Sequence, residues 1–548
     1  MSERSERLFA ALSEISEEKI DEASPDDRTS RFQWKKWSAL AAALALVIGA
    51  GSCILPRLGM GGSAGNSGAG GAGADGATTF MSYAGPVFPL TLKTADGDIT
   101  AEREITLDFE LWVKVWWSNE EEAGSREDLT PEQRQEVLED YNEWYPEGGR
   151  WKSSTDIQVT DAYTLTNTAE EDKTVTVLYP FASSLQELWR FQPTLTAGGR
   201  ELETALYAGP YSGGFAGTGG PESEGRWNLA ELNSWEGYKT LLEGGGYQRS
   251  AFEDYPDLSE VPAIVYEFTD PQGDGSSAAT IQAGFDLDYA KTTILSWNFN
   301  GGSYDYENGW EGRSFFIPNR QIPNWSDPRY LIVLGEDIQN MTIQGYKNGG
   351  CDVGDERDFT VDVQRYETDL DTILREVTRR MYDSHIKYYA RDQFWNLSGV
   401  DYEMYHGLFC QCLVSYGLLS EDPAERYDDG QLEALDFANV DRVFYLEGSV
   451  TIPAGGSVAL TAEMTREGSY DFYCAHTENQ GVHGYDMVTK LGSNLSCAEQ
   501  TAVLEDRGQI EIVRQNFGFD LKNGVTRVTL DPEAEHYYLE VKRISEEK

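Results

Sequence analysis

The stretch ITLDFELWVKVWW, residues 105–117, decides the fold class of this 548-residue chain. Ile105, Leu107, Phe109, Leu111, Val113, Val115 and Trp117 recur at every second position, with mostly polar residues between them. Successive side chains of a strand point to opposite faces, so the run predicts one long strand with an apolar edge on a core. Trp117 continues that face. Trp116 points the other way and is a candidate for a surface or interdomain role. A helix is expected next: Thr130 caps it, Pro131 takes the first turn, Gln133 completes a capping box, and Val137, Tyr141 and Trp144 form its inner face.

The alternation returns further along. Ile157, Val159, Tyr163 and Leu165, then Val175, Val177 and Tyr179, read as two strands joined by a polar turn at 167–172, and Ala197-Gly198-Gly199 turns a hairpin. The Gly-rich break at 213–224 closes a first β-sandwich domain with a helical insertion, 80–224. A second β-rich domain, 225–368, opens with a short helix near 235–243. It continues with a hairpin of 263–269 and 280–288 and with strands near 294–299, 315–317, 330–334 and 359–363. Asp270, Gln272, Asp274 and Gly275 resemble the start of a calcium loop, but Ile281 stands where the bidentate Glu is required, so a turn is expected. Leu370, Ile373, Leu374, Val377, Met381, His385 and Tyr388 form a helical stripe, and a second helix over 402–419 completes a helical subdomain, 369–441. About seven strands over 442–548, with a turn at Pro453-Ala454-Gly455-Gly456, give a C-terminal β-sandwich. The pattern Tyr163-x-Leu165-x-Asn167 with Val175-x-Val177-x-Tyr179-Pro180-Phe181 is similar to extracellular β-sandwich domains of unknown function, which implies a fold and no activity.

On the N-terminal side lies the only long apolar, uncharged run, WSALAAALALVIGAGSCILP, residues 37–56. Roughly 20 residues cross a hydrocarbon core. Leu40, Leu44, Leu46, Val47, Ile48, Ile54 and Leu55 supply roughly −3 kcal/mol, enough to offset Ser38, Gly49, Gly51 and Ser52. Arg28, Arg31, Lys35 and Lys36 precede the run and only Arg57 follows closely, which orients the N-terminal tail, 1–36, to the cytoplasm. A cleaved signal peptide would need a short basic leader in place of this acidic tail. Lipoprotein processing at Cys53 would want a bulky aliphatic residue where Ala50 stands, and a buried core helix fits poorly with the Gly/Ala/Ser tether at 57–79. The expected fold class is therefore a mainly β ectodomain of two or three β-sandwich domains with a helical insertion, carried on one transmembrane α-helix.

Within the tail, Leu8, Phe9, Leu12, Ile15 and Ile20 make an apolar helical stripe opposite Glu6, Glu14, Glu17 and Asp21, a surface suited to docking a protein. The order Arg7-Leu8-Phe9-Ala10-Ala11-Leu12-Ser13-Glu14-Ile15, Ile20-Asp21-Glu22-Ala23, then Trp34-Lys35-Lys36-Trp37 and one Ala/Leu-rich span resembles bacterial single-pass membrane proteins of anti-sigma-factor type. The resemblance covers about the first tenth of the chain. It implies a cytoplasmic partner, a sigma factor, held inside and a sensor domain outside. The zinc-binding His/Cys motif of one anti-sigma class is absent, because no His or Cys precedes Cys53.

A net charge of −49 sets the chain against nucleic acid, whose phosphates it would repel. Gly61-Gly62-Ser63-Ala64-Gly65 and Gly68-Ala69-Gly70-Gly71-Ala72-Gly73 match a nucleophile elbow and a dinucleotide fingerprint, yet the tether gives neither a preceding strand nor a following helix. Of the cysteines, Cys474 and Cys497 are candidates to bridge. His406 and Cys410, four apart on a helix, can share a metal; Cys410 and Cys412 diverge on the same helix and cannot easily do so. Cys474 and His476 share a strand face, but no CxxC framework supports a site joining the two pairs. His385, on an apolar stripe, reads as a hydrogen-bonded core residue. No catalytic, cofactor-binding or metal residue is therefore assigned, and no cofactor is expected. The functional expectation is a non-catalytic extracytoplasmic sensor or regulator of anti-sigma character. A cell-surface glycan- or envelope-binding adhesion protein is the alternative, and an extracellular hydrolase the weakest third.

Overall fold

The computed structural model describes residues 81–544, apart from 126–129, 211–231, 318–327, 390–396, 472–478 and the single positions 233, 277, 398, 424, 425, 428, 429, 436 and 532. The tail with Leu8, Phe9, Leu12, Ile15 and Ile20, the apolar run at 37–56, the tether at 57–79, Cys474 and His476 lie outside the described residues. Among the described residues no helix is long and apolar enough to cross a membrane. The described residues are mostly β and belong to one contact unit, Gly59–Lys548.

The strand predicted over 105–117 is two strands. Ile99–Asp108 alternates buried residues with half-buried or exposed ones, then the Asp108 carboxylate accepts from the Glu110 N–H at 2.9 Å and starts a single 3-10 turn, Phe109–Leu111. Such an aspartate turn shifts the phase of everything after it. Phe109 and Trp112 are fully buried, whereas Leu111, Val113 and Val115 face solvent. Trp117 is half-buried on a separate two-stranded ribbon, Lys114–Ser118 with Gly149–Ser153, and Trp116 is exposed as expected. The helix Pro131–Trp144 has the predicted capping box, but Trp144 is exposed and Val137 and Tyr141 are half-buried, so its apolar face meets no main core.

Among the described residues, five sheets accompany the ribbon. The first runs in the order Arg527–Thr529, Ser496–Glu505, Ile99–Asp108, Ile157–Asn167, Ser457–Arg466, Thr194–Ala197 and Arg200–Glu201, with Ser496–Glu505 and Ile99–Asp108 parallel. The second is Ala205–Ala208, Arg442–Ile452, Lys173–Ser183 and Thr91–Leu92. A further sheet joins Met81–Ser82, Ser469–Asp471, His483–Val488, His536–Arg543 and Ile510–Gln515. All three mix the beginning and end of the described chain, so the boundaries expected between 80–224 and 442–548 do not separate two domains. The turns at 167–172 and at Pro453-Ala454-Gly455-Gly456 are corners that carry the chain between the first and second sheets. Sequence pattern shows a turn but not whether the strands beyond it pair. Where they do pair, at Ala197-Gly198-Gly199, both glycines have positive φ, 57° and 76°, as a tight hairpin turn requires.

Residues 262–369 make the two remaining sheets: Thr292–Trp297, Arg329–Gly335, Pro262–Gln272 and Thr360–Asp369 in one; Gly301–Asp305, Trp310–Phe316, Thr280–Asp286, Gln339–Tyr346 and Glu356–Arg357 in the other. Pro262–Gln272 and Thr280–Asp286 thus fall in different sheets, not in the expected hairpin. Phe268, Ile281, Phe285, Leu331 and Val333 form the core between them. The opposite face of the first of these sheets, with Val265, Leu295 and Ile332, packs on the helices Leu370–Tyr389 and Tyr402–Ser415. Burial on both faces explains the unbroken apolar run Tyr330-Leu331-Ile332-Val333-Leu334. The expected stripe holds where it matters: Leu370, Ile373, Leu374 and Val377 are buried. Gly407 lets the Tyr255 ring lie on the second helix, since a Cβ there would come within 2.3 Å of it.

Candidate metal centre

The two helices bring one mixed donor cluster together. Asp371, in the first turn of Leu370–Tyr389, faces His406 and Cys410 of Tyr402–Ser415, and one ligand atom of each lies within 4.8 Å of the others. Each helix has a side-chain cap: Asp369 accepts from the Thr372 N–H and Asp401 from the Met404 N–H, both at 2.8 Å. His406 and Cys410 share a face because four residues make about one helical turn. Cys412, two positions on, is buried in the main core instead.

His406 Nε2 lies 3.1 Å from Asp371 Oδ1 and 3.5 Å from Cys410 Sγ, and Nδ1 lies 2.9 Å from Thr378 Oγ1. Thr378 Oγ1 in turn meets the Tyr402 hydroxyl at 3.1 Å, and that hydroxyl donates to the Arg375 carbonyl at 2.9 Å. The second oxygen of Asp371 accepts from Arg375 Nε at 2.7 Å, and Arg375 also reaches both oxygens of Glu403. His406 and Cys410 are buried, while the Asp371 side chain keeps 20% exposure, so the cluster opens to solvent on the aspartate side. Burial pushes the Cys410 thiol up to about 12, with the Asp371 charge adding to the effect. Burial also pulls His406 below its ordinary value, against the Asp371 carboxylate beside it, which favours the protonated ring. Asp371 and Cys410 address the same ring nitrogen. A nucleophilic triad needs them on opposite nitrogens, and it needs a thiol that ionises readily.

Elsewhere, His385 Nδ1 lies 3.2 Å from the Tyr405 hydroxyl, in keeping with a hydrogen-bonded interior position. Cys497 and Cys351 are free, half-buried thiols, and the second partner of the expected bridge, Cys474, is outside the described residues. In the sequence, helical spacing pairs His406 with Cys410 but does not reach Asp371, Thr378 or Tyr402. Asp371 and Thr378 stand seven apart on the facing helix, a two-turn spacing that marks them as one face once the two helices are known to be neighbours.

On the surface, the ribbon carries a second feature. Trp116 and Trp151 are cross-strand partners with ring centroids 5.5 Å apart, exposed by 39% and 59%. Lys114 sits over the Trp151 ring and Lys152 over Trp117. Solvent-facing Leu111, Val113, Val115 and Trp144 belong to the same excursion. No family model, curated protein or solved structure matches this chain.

Proposed function

We propose that this chain is a bacterial single-pass membrane protein whose β-sandwich-type outer part is a non-catalytic sensing unit and whose cytoplasmic tail is anti-sigma-like. Its support is the tryptophan ribbon. Two indoles paired across a ribbon that belongs to none of the three cores, both facing water, make an apolar surface of the kind that marks a binding site. Rings displayed in this way suit stacking against the apolar faces of sugar units in an envelope polymer. In this reading that surface lies outside and the Leu8, Phe9, Leu12, Ile15 and Ile20 stripe inside, the orientation that the charge step around 37–56 favours. Replacing Trp116 and Trp151 together by Ala is expected to weaken binding to envelope glycans by about 2 kcal/mol or more, roughly thirtyfold, on an array probed with the outer part. Unchanged binding would remove the ribbon from the reading.

A cell-surface adhesion protein would use the same ribbon with an inert tail. Pull-down with residues 1–36 separates the two. The sensor reading expects capture of a sigma factor that is lost when Leu8 and Leu12 become Asp; an empty pull-down together with unchanged transcription on deleting the tail leaves adhesion. A hydrolase has least support, given how Cys410 and Asp371 meet His406.

A further inference from the structure

We propose that Asp371 Oδ1, His406 Nε2 and Cys410 Sγ bind one zinc(II) ion, with water in the fourth position. The Tyr402 hydroxyl spends its single proton on the Arg375 carbonyl, so its contact with Thr378 needs the threonine proton. Thr378 then has none left for His406, and the third contact needs Nδ1–H as donor. A neutral imidazole protonated on Nδ1 presents a bare lone pair at Nε2. That lone pair faces a carboxylate oxygen 3.1 Å away and a sulfur 3.5 Å away. A carboxylate oxygen, an imidazole lone pair and a cysteine sulfur, each within 4.8 Å of the others, make a donor set that a cation bridges when it displaces the thiol proton. A histidine that ligates through one nitrogen while donating from the other is also the usual way a metal-bound imidazole is oriented.

Tetrahedral zinc with bonds of about 2.0–2.1 Å to nitrogen, 2.0–2.2 Å to oxygen and 2.3 Å to sulfur has an N···O edge of about 3.4 Å and an N···S edge of about 3.6 Å. The observed separations, 3.1 and 3.5 Å, are within a few tenths of those edges. Imidazole with thiolate excludes calcium and magnesium, which take oxygen donors, and suits a borderline-soft ion. Binding releases the Cys410 thiol proton to solvent and forms the Zn–S bond, with no change of oxidation state. Arg375 stays on the outer oxygen of Asp371 and holds the carboxylate in place. The inference goes beyond the sensor reading and does not depend on it.

The test uses the full chain, stripped with a chelator and titrated with zinc against a chromophoric competitor, then with cobalt(II). One ion per chain is expected, with a sulfur-to-cobalt charge-transfer band in the near ultraviolet that disappears in Cys410→Ser. Thr378→Val keeps all three ligands but removes the acceptor that orients His406 through Nδ1–H, so zinc affinity should fall by about 10–100-fold. A readout without substitution guards against variants that fail to fold: zinc-edge X-ray absorption of the loaded chain should show one sulfur at about 2.3 Å among nitrogen and oxygen neighbours at about 2.0–2.2 Å. Absence of uptake, a band that survives in Cys410→Ser, or a zinc shell without sulfur each overturns the proposal. So does an imidazolium signal from His406 in the stripped protein that zinc leaves unchanged, since a proton would then fill the place given to the metal.

Discussion

Asp161→Ala is expected to lower the unfolding free energy of Gly59–Lys548 by about 3–5 kcal/mol, measured by chemical denaturation. Asp161 and Arg103 both occupy inward positions of alternating strands of the first sheet and are without solvent exposure. Arg103 Nε and one terminal nitrogen donate to the two carboxylate oxygens at 2.7 and 2.9 Å. The remaining guanidinium contacts go to the carbonyls of Val488 and Phe88, and the hydroxyls of Tyr163 and Tyr179 donate to Asp161. Tyr179 belongs to the second sheet and Val488 to the sheet holding His483–Val488, so one ion pair joins three sheets. Removing the carboxylate leaves a charge in the core with two tyrosine hydroxyls bereft of their acceptor. The cost is that of an unpaired buried charge, far above the about 0–1 kcal/mol of an exposed pair. Adding Arg103→Met to Asp161→Leu should recover most of the loss, because an apolar pair of similar volume has no charge to desolvate. A single-variant loss below about 1 kcal/mol would mean that water reaches the pair.

The second large effect is expected at Trp112, where substitution by Ala should cost about 3–5 kcal/mol. Its ring is fully buried, edge-on to Phe109 and to His483, and its Nε1–H donates to the Tyr485 hydroxyl at 2.6 Å. Tyr485 passes the connection on to the Thr155 carbonyl, and Arg543 lies on the ring while donating to the Trp112 carbonyl at 2.8 Å. Loss of the indole therefore opens a cavity and loosens the root of the ribbon. Limited proteolysis should move to sites within 114–153 in Trp112→Ala before the rest of the unit is cut. Trp116→Ala, on the exposed face, should stay within about 0.5 kcal/mol of the parent. Equal costs at the two tryptophans would contradict the phase shift at Phe109–Leu111.

Those two sites show what the sequence makes legible. Period-2 alternation reveals each strand and its inward face, yet it counts only apolar residues, so it skips Arg103 and Asp161, which sit in phase with Ile105 and Val159. Opposite charges in phase on two predicted strands are a usable signal for a buried pair. The alternation also runs straight through Asp108, whose side-chain turn moves Trp112 inward and Val113 and Val115 outward. Sheet membership was not legible: the corners at 167–172 and 453–456 look like hairpin turns, and nothing local tells a strand that its partner lies hundreds of residues away, as Ser496–Glu505 does from Ile99–Asp108. At the candidate metal centre, spacing within one helix was readable, whereas Asp371 needed the packing of two.

The root of the ribbon has a further consequence. The Ser154 N–H donates to the Val113 carbonyl at 2.9 Å, and Arg543 donates to the carbonyls of Trp112, Val113 and Ser154. Among the described residues, none between these two ends belongs to any of the three cores. Chain enters and leaves through one narrow neck, so the segment can lengthen, drift or be exchanged for a different recognition head without asking anything of the sheets beneath. The scaffold and its head are free to evolve at different rates, and a graft at Val113 and Ser154 is where an engineer would cut.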